Sequence, residues 1–367
     1  MARQTKIEWT DATWSPLTGC SVISPGCTNC YAMKLAGGRM KNHPSRAGLT
    51  VATKAGPVWT GEVRVNEAWI DQPLRWTKPS MIFACAHSDL FHEAVPDSVI
   101  DRVFAVMALA QRHTFQVLTK RAARMRAYLT DPTTPLRIAR AMHAQDPTLG
   151  GDYPKSGWAV EAAGLAVRLP LPNVWLMVSA EDQARANERI PELLATPAAV
   201  RGVSLEPLLG PVDLTSIRRF AEVPKEYLDA LRGTCWTDQA GLQNPDPSWD
   251  KPGRAFSDGS GGLDWVIVGG ENGPRPMRAA WVRPIRDACA VTGVPFLFKQ
   301  WGTHLPEGQF DVQGFQWAPG DDPRVVWWEE RPAYGDPVPD DACAVRIGKV
   351  QAGRLLDGVT HDGMPGQ

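Results

Sequence analysis

The stretch MIFACAHSDLFHEAVPDSVIDRVFAVMALAQRHTFQVLTKR (residues 81–121) holds two apolar runs that flank a segment of helical period. MIFACA (81–86) and TFQVL (114–118) do not alternate apolar and polar residues, which is typical of strands buried on both faces of a parallel sheet. Between them, residues 97–112 place apolar side chains at helical spacing, and we expect Asp97 to cap the first turn. The stretch therefore predicts one β-α-β unit.

The same pattern continues along the chain. Four further apolar runs read as buried strands: VWLMV (174–178), VRGVSL (200–205), DWVIVGG (264–270) and PFLFK (295–299). Another segment of helical period, residues 279–293, ends at Gly293, a residue that commonly stops a helix. Strands that alternate with helices predict an α/β fold, either a parallel β/α barrel or a doubly wound sheet.

Polar residues follow nearly every predicted strand: Ser88 and Asp89; Thr119, Lys120 and Arg121; Ser179 and Glu181; Ser204 and Glu206; Glu271; Lys299, Gln300 and Trp301. In a parallel barrel the carboxyl ends of the strands meet at one mouth, which holds the active site. Contact with solvent would explain one polar strand end, whereas six of them favour an active-site mouth. We therefore expect a partial or complete TIM-like β/α barrel.

Two segments interrupt the alternation of strands and helices. Residues 131–172 and 234–263 are rich in Gly, Pro and small residues, and we expect both to be irregular insertions in a barrel that spans residues 1–302. Residues 303–367 are expected to form a C-terminal appendage that packs on the barrel.

The composition is that of a soluble globular protein. Of 367 residues, 43% are hydrophobic and 22% are charged, no apolar run is long enough to span a bilayer, and the start has no secretory h-region. We expect a cytoplasmic protein without a membrane partner, whose seven cysteines are thiols or metal ligands. The net charge of −1 gives no global basic surface for nucleic acid. The local basic run KRAARMR (120–126) is best explained as a solvated helix face.

Three cysteines lie close together in LTGCSVISPGCTNCYAMKLA (residues 17–36). Cys20, Cys27 and Cys30 have the spacing C-x6-C-x2-C, and a helix is expected directly after them. Three thiolates suit a metal ion or an iron–sulfur cluster. Structural zinc needs a fourth ligand, which His43 or His87 could supply, whereas a 4Fe–4S cluster with three thiolates keeps one iron open.

Many stretches of the chain resemble a phage-associated three-cysteine-motif family, named after phage gene products thirty-seven and sixty-eight. The similar stretches are TKIEWTDATWSPLTGC, SPGCTNCYA, SDLFHEAVPD, VLTKR, NVWLMVSAEDQARANERIP, VSLEPLLGPVDL, DWVIVGGENG, GVPFLFKQWG and GKVQAGRLLDG. The cysteine loop followed by alternating strands also resembles the radical SAM superfamily. It departs from the superfamily pattern in its first gap, six residues instead of three, and in a Gly-Gly-Glu triplet at 269–271 that comes too late in the chain.

The resemblance implies a radical SAM-type barrel with a 4Fe–4S cluster on Cys20, Cys27 and Cys30 and S-adenosyl-L-methionine (SAM) on the open iron. It implies roles for the strand-end residues as follows: SAM contacts from Ser88, Asp89, Lys120, Arg121, Ser179, Glu181 and Glu206, catalysis by Glu271 and Lys299, and substrate contacts from Gln300 and Trp301. Each has a simpler alternative. Glu181 could cap a helix, Lys299 could pair with Glu271, and Trp301 could be a packing residue.

The implied reaction is reductive cleavage of SAM followed by hydrogen abstraction from a substrate. It requires an electron donor, flavodoxin-like or chemical, and the phage resemblance suggests a nucleobase or nucleotide in DNA modification or repair, in the host cytoplasm if the protein is phage-encoded. The alternative from another class is a zinc-stapled, non-catalytic interaction module for a phage or host partner.

Overall fold

The computed structural model describes residues 5–145, 167–219, 226–237, 255–256, 261–311, 314, 322–328 and 341–366. Parts of the two predicted insertions and of the predicted appendage lie outside these residues. The chain divides into two compact units. The first extends to Val178 and includes Ala195–Arg201, and the second contains Ser179–Leu194 and the chain from Gly202 onward.

Parallel strands form the centre of both units. The described residues contain seven of them: β1 (Ala12–Trp14), β2 (Met81–Ala84), β3 (Thr114–Thr119), β4 (Val174–Ser179), β5 (Val200–Leu205), β6 (Trp265–Gly269) and β7 (Phe296–Gln300). In the first unit β1, β2, β3 and β4 pair in that order, and in the second unit β5, β6 and β7 do the same. The predicted α/β fold with parallel strands is confirmed, and it is compatible with a partial parallel β/α barrel.

Helices follow several of these strands. They are α1 (Tyr31–Gly37), α2 (Asp97–Leu109), α3 (Ala122–Thr130), α4 (Thr134–Gln145), α5 (Gln183–Leu194), α6 (Ala279–Thr292) and the single turn α7 (Lys349–Ala352). The two predicted helices are confirmed as α2 and α6, and Gly293 ends α6 in a left-handed conformation. None of the helices in the described part of the chain combines the length and apolarity that a bilayer crossing needs.

The prediction that Asp97 caps α2 is wrong. Pro96, in an extended conformation, precedes the helix, and Asp97 is the first helical residue. The Asp97 carboxylate instead accepts from Arg124 on α3, with Nη2 and Oδ1 3.1 Å apart. A side chain that reaches a neighbouring helix is no longer available to the first-turn N–H groups.

Short antiparallel strands surround the parallel ones. They are Leu17–Thr18 with Arg64–Val65; Thr50–Thr53 with Gly56–Trp59; Ile217–Arg218, Glu226–Asp229, Thr234–Thr237 and Ala255–Phe256; and His304–Pro306, Val325–Trp327 and Cys343–Arg346. Residues 234–237 and 255–256 therefore belong to an antiparallel sheet, which corrects the prediction that 234–263 is irregular throughout. Within the predicted appendage, residues 304–306, 325–327 and 343–346 form a three-stranded sheet.

Burial follows the pattern read from the sequence. In the first unit Ile82, Phe115 and Val117 are completely buried, and so is the apolar stripe of α2 that includes Val103 and Val106. In the second unit every residue of β6 is buried. Strands without alternation are thus covered on both faces, and each large apolar side chain contributes about 1.5–3 kcal/mol by leaving water.

Gly19 fixes the path of the chain from β1 into the cysteine loop. Its φ is +98°, its N–H donates to the His87 carbonyl at 3.2 Å, and its own carbonyl accepts from Ser88 Oγ at 2.7 Å. A Cβ on Gly19 would lie 2.2 Å from the Glu62 carbonyl oxygen. Both the backbone conformation and the close approach of another segment therefore require glycine.

We expect Gly19→Ala to lower the free energy of unfolding by clearly more than Gly48→Ala does. Gly48 has φ +81° but open space around its Cβ position, so its substitution costs only the conformational strain of about 1–2 kcal/mol. Gly19→Ala adds the collision with the Glu62 backbone. Urea unfolding followed by tryptophan fluorescence measures both losses, and equal losses would contradict the steric argument.

Candidate functional site

The three cysteines of the loop lie between Leu17–Thr18 and α1. Cys27 ends a 3-10 turn, Pro25–Cys27, and Cys30 directly precedes α1, where its carbonyl accepts the Lys34 N–H at 3.0 Å. Cys20 and Cys30 are partly buried against an apolar cluster that includes Met33 and Trp59. All three are free thiols. Cys85 and Cys289, which lie outside the loop, are buried.

Burial and neighbouring charges act on these thiols. Burial raises the pKa of Cys20 to about 12, Asp89 adds to this increase and Arg121 opposes it. Burial also raises the pKa of Cys30. A negative charge on Cys27 would raise the pKa of Cys20 and of Cys30 alike, so Cys27 acts electrostatically on both. Without a ligand, Cys20 and Cys30 are therefore neutral thiols at pH 7.

The thiols are not arranged around a single ion. Among the described residues, no three side chains of the types His, Cys, Asp and Glu converge closely enough to hold one metal ion. Around one zinc ion the sulfur atoms would stand about 3.8 Å apart, given Zn–S bonds of about 2.3 Å. His87 Nδ1 accepts from Arg46 at 2.5 Å and His43 Nδ1 lies 2.8 Å from Ser45 Oγ, so these ring nitrogens are engaged elsewhere.

Arg121 is the charged group that reaches the cysteine loop. Its Nη1 lies 3.8 Å from Cys20 Sγ, and its Nη2 donates to Ser21 Oγ at 2.6 Å. Its Nε lies 2.9 Å from both oxygens of Glu93. Only 7% of Arg121 is exposed, so the expectation of a solvated helix face is wrong for Arg121, whereas Arg126 on α3 is exposed.

Asp89 holds Arg121 in this position. Its Oδ2 accepts from Arg121 Nη1 at 3.1 Å and from the Lys120 N–H at 3.1 Å. Its Oδ1 accepts from Thr119 Oγ1 at 2.7 Å and from the Phe91 N–H at 3.0 Å. Although burial alone would lower the pKa of Arg121, the charges of Asp89, Cys20 and Glu93 raise it, so the guanidinium stays charged.

The remaining predicted residues of the first unit make contacts near the ends of β2 and β3. Ser88 donates its hydroxyl to Gly19, one residue before Cys20. Lys120 contributes its backbone N–H to Asp89. Arg124, also part of the basic run, donates to the carbonyls of His92 and Val95. The Ser88 contact joins the end of β2 to the cysteine loop, whereas the contacts of Lys120 and Arg124 join the end of β3 and helix α3 to the loop that follows β2.

Three predicted residues meet in the second unit. Glu206, directly after β5, accepts from Lys299 Nζ at 2.8 and 2.9 Å and from Gln300 Nε2 at 3.3 Å, both at the end of β7. Gln300 Oε1 is buried and has no hydrogen-bond partner. Lys299 therefore pairs with Glu206 and not with Glu271, the partner considered from the sequence. An amide oxygen left open beside a partly exposed ion pair is suited to accept from a ligand.

Glu271 and Glu181 form separate buried ion pairs. Glu271 accepts from Arg275 Nε at 3.1 Å, four residues further along the chain. Glu181, fully buried, accepts from Arg189 Nη1 at 3.2 Å, and the same nitrogen donates to the Ser179 carbonyl at 2.8 Å. Glu181 lies before α5, but its ion pair with Arg189 gives it a role other than the helix cap considered above.

Trp301 is a packing residue in this structure. Its side chain is completely buried, its Nε1 donates to the Leu355 carbonyl at 2.8 Å, and its ring meets that of Phe298 edge-on with centroids 4.7 Å apart. Of the two roles considered for Trp301, these contacts favour packing over stacking on a substrate.

Three residues of the Arg121 network were not predicted: Ser21, His92 and Glu93. His92 Nε2 lies 3.0 Å from Ser21 Oγ, which also accepts from Arg121. The sequence offers only a weak indication of these three residues: each is polar and lies in a loop that also carries a predicted site residue. Only the fold brings these two loops together.

A family match covers almost the whole chain. Residues 4–365 match a family described as "Protein of unknown function (DUF5131)". The chain belongs to this family. No curated protein and no solved structure matches it significantly. Since the family description assigns no reaction, the function of this DUF5131 member has to be argued from its site.

We expect Asp89→Asn to lower the free energy of unfolding by about 3 kcal/mol, because it leaves the buried Arg121 charge without its buried partner. Glu93→Gln is the matched control, since it also neutralises a carboxylate on Arg121. The Glu93 side chain is 66% exposed, so its loss should cost less than about 1 kcal/mol. Urea unfolding distinguishes them, and comparable losses would show that burial of the Asp89 pair does not matter.

His87 gives the first unit a defined sensitivity to acid. Burial, together with the adjacent Arg46 charge, lowers the pKa of His87 from 6.5 to about 4. Between about pH 6.5 and about pH 4, His87 is therefore protonated in the unfolded chain but not in the folded chain. The free energy of unfolding should fall as the pH drops from about 6.5 to about 4, by up to roughly 3 kcal/mol from this residue.

The His87→Gln variant tests this expectation by removing the titrating group. Its free energy of unfolding, measured in urea at about pH 7 and about pH 4.5, should fall less between the two than that of the unsubstituted protein. An equal fall in both proteins would assign the acid sensitivity to other groups.

Proposed function

We propose that the protein is a radical SAM-type enzyme in which Cys20, Cys27 and Cys30 hold a 4Fe–4S cluster. The observation that carries the proposal is the set of three free thiols on one loop after the first parallel strand, with a buried guanidinium at Cys20. The resemblance of the loop to the radical SAM superfamily and of the chain to the phage three-cysteine family supports it.

The donor set fits a cluster better than a single ion. In a four-iron cluster each thiolate binds a different iron, so the sulfur atoms stand farther apart than the ligands of one zinc ion. The lack of a convergent single-ion site among the described residues is therefore compatible with a cluster. Three thiolates bind three of the four irons, which leaves one iron free to bind a small-molecule ligand.

Arg121 supplies positive charge where the thiolates are negative. Its guanidinium lies 3.8 Å from Cys20 Sγ, and this charge favours the thiolate form that a metal requires. Asp89 and Glu93 fix the orientation of the guanidinium, so we assign both to positioning Arg121. Because Arg121 is already paired with Asp89 and Glu93, Lys120 is the better candidate for the carboxylate of SAM, and Ser88 remains a candidate for its ammonium group.

When bound, the cluster and SAM would supply reductive cleavage of SAM and hydrogen abstraction from a substrate. An electron donor, flavodoxin-like or chemical, is needed. In the second unit we assign Glu206 and Lys299 to ligand contact, because their ion pair is partly exposed, and we assign the buried Gln300, whose amide oxygen has no hydrogen-bond partner, to supporting them. Ser179, Glu181 and Glu271 are assigned to holding the ends of their strands. A nucleobase or nucleotide is the proposed substrate class.

Anaerobic reconstitution with iron and sulfide tests the cluster. The protein should become brown and bind about four irons, as a 4Fe–4S cluster requires, and Cys27→Ala should abolish most of this iron and its absorbance. Cys289→Ala is the control, because it removes a buried thiol outside the loop and should keep the iron. One equivalent of zinc without iron would contradict the proposal and favour the zinc-stapled interaction module.

The reaction is tested separately with reduced, reconstituted protein. Incubation with SAM should release 5′-deoxyadenosine, and a deuterated nucleotide substrate should transfer deuterium into it. Protein that binds the cluster but does not cleave SAM would keep the iron–sulfur assignment and overturn the radical SAM assignment.

A further inference from the structure

A second candidate site is a surface cleft of about 280 Å³ in the first unit. His43, Ser45, Arg64 and Trp69 contribute to its walls, and none of the three loop cysteines does. The cleft takes no part in the reaction proposed above. Its volume is near the lower end of the range for small-molecule sites, which is enough for one nucleotide.

Arg64 gives the cleft a positive charge that no carboxylate neutralises within the described residues. Its Nη1 donates to the Pro44 carbonyl at 2.6 Å and its Nη2 to the Ala47 carbonyl at 2.8 Å. A guanidinium has five N–H donors, so about three are left over. The two carbonyl contacts hold the side chain in place while its charge stays available for an anion.

Arg46 adds a second positive charge behind the wall. Only 4% of the residue is exposed, and its Nη1 donates to Ser45 Oγ at 2.6 Å. Its Nε is buried without a hydrogen-bond partner, and its Nη2 donates to the neutral acceptor His87 Nδ1, so its contacts among the described residues bring it no carboxylate. A buried cation without an anion is unfavourable, and an anion in the adjacent cleft would offset part of that cost.

The hydrogen bonds of Ser45 determine which nitrogen of His43 carries a proton. Ser45 Oγ accepts from Arg46, so its own hydrogen is free to go to His43 Nδ1, 2.8 Å away. The Ser45 backbone N–H also donates to His43 Nδ1, at 3.2 Å. The neutral ring therefore has its proton on Nε2, which makes that nitrogen a further donor on the exposed His43.

Trp69 supplies a flat apolar surface beside these donors. Its ring is half-buried, and its centroid lies 6.4 Å from that of His43 with 39° between the planes. The acidic residue of the cleft, Glu67, is neutralised by Arg102, with Nη2 and Oε2 2.6 Å apart. The cleft thus combines an excess of positive charge with one large aromatic face.

We infer that this cleft binds a nucleoside phosphate, with the phosphate on Arg64 and His43 Nε2 and the base on Trp69. Cationic donors recognise the phosphate, and an aromatic face accepts any base by stacking. A free nucleotide and one nucleotide of a single strand share this chemistry. The inference does not depend on the iron–sulfur proposal, because none of these residues is assigned to the cluster or to SAM.

Isothermal titration of the full chain as isolated tests the inference with 2′-deoxyadenosine 5′-monophosphate, 2′-deoxyadenosine, inorganic phosphate and an oligothymidylate of about ten nucleotides. The nucleotide should bind more tightly than the nucleoside or phosphate. If the oligonucleotide binds more tightly than the mononucleotide and its affinity falls steeply with added salt, the natural ligand is a nucleic-acid strand. If it binds more weakly than the mononucleotide, the natural ligand is a free nucleotide. No measurable binding of any probe would overturn the inference.

Three substitutions locate the binding. Arg64→Gln should weaken nucleotide binding about tenfold or more, as expected for the loss of a charge-assisted contact. Trp69→Leu should weaken the nucleotide and leave inorganic phosphate unchanged. Glu67→Gln should strengthen nucleotide binding, because it leaves the Arg102 charge beside the cleft without its counter-ion, and this gain cannot come from a folding defect.

Arg75→Gln is the charge-matched control, since Arg75 is exposed, pairs with Asp71 and lies outside the cleft walls. It should leave the affinity unchanged. The inference is overturned if Arg75→Gln and Arg64→Gln have the same effect, if Glu67→Gln weakens binding, or if phosphate binds as tightly as the nucleotide.

Discussion

The buried ion pair between Asp89 and Arg121 is the contact on which the cysteine loop depends. Asp89 follows β2, Arg121 follows β3, and through Ser21 and Cys20 the guanidinium reaches the segment that follows β1. Two charges removed from water are stable together only when their remaining donors and acceptors are satisfied. The three further hydrogen bonds of Asp89 and the contacts of Arg121 with Glu93 and Ser21 meet that condition.

This pair also sets the electrostatics at Cys20. Arg121 favours the Cys20 thiolate and Asp89 disfavours it. Burial also disfavours the thiolate, and its effect on the pKa is larger than that of either charge. The thiol is therefore neutral in the folded chain without a ligand. If the loop holds the proposed cluster, a metal centre would replace the proton and add positive charge of its own, which would oppose the effect of burial. Burial disfavours the thiolate, while the guanidinium beside the sulfur favours it.

The sequence predicts the framework because periodicity and burial are local properties. Residues 200–205 are a strand with the predicted limits, and residues 279–292 are the predicted helix. The side-chain partners are not local. Arg121 is buried because carboxylates about thirty positions earlier in the chain surround it, and Lys299 pairs with Glu206 because β5 and β7 both flank β6.

Because side-chain partners are not local, the sequence also could not assign roles to the polar residues at the strand ends. A polar residue after a strand marks a place where side chains gather, but not whether they face a ligand or one another. Asp89, Glu181 and Glu271 are buried in ion pairs with arginines, whereas Glu206 and Lys299 are partly exposed. The cleft was not predicted, because Arg64 and Trp69 belong to no motif and only the pairing of Leu17–Thr18 with Arg64–Val65 brings that segment to the loop.

Thr18 connects the two candidate sites of the first unit. Its hydroxyl donates to the Ser45 carbonyl at 2.5 Å and accepts from Asn66 Nδ2 at 3.4 Å, and both partners lie in the wall of the cleft. Thr18 is completely buried and stands two residues before Cys20, with Gly19 between them. Since residues in direct contact do not respond independently, the proposed nucleotide in the cleft and the proposed cluster on the cysteines would act on the same short segment.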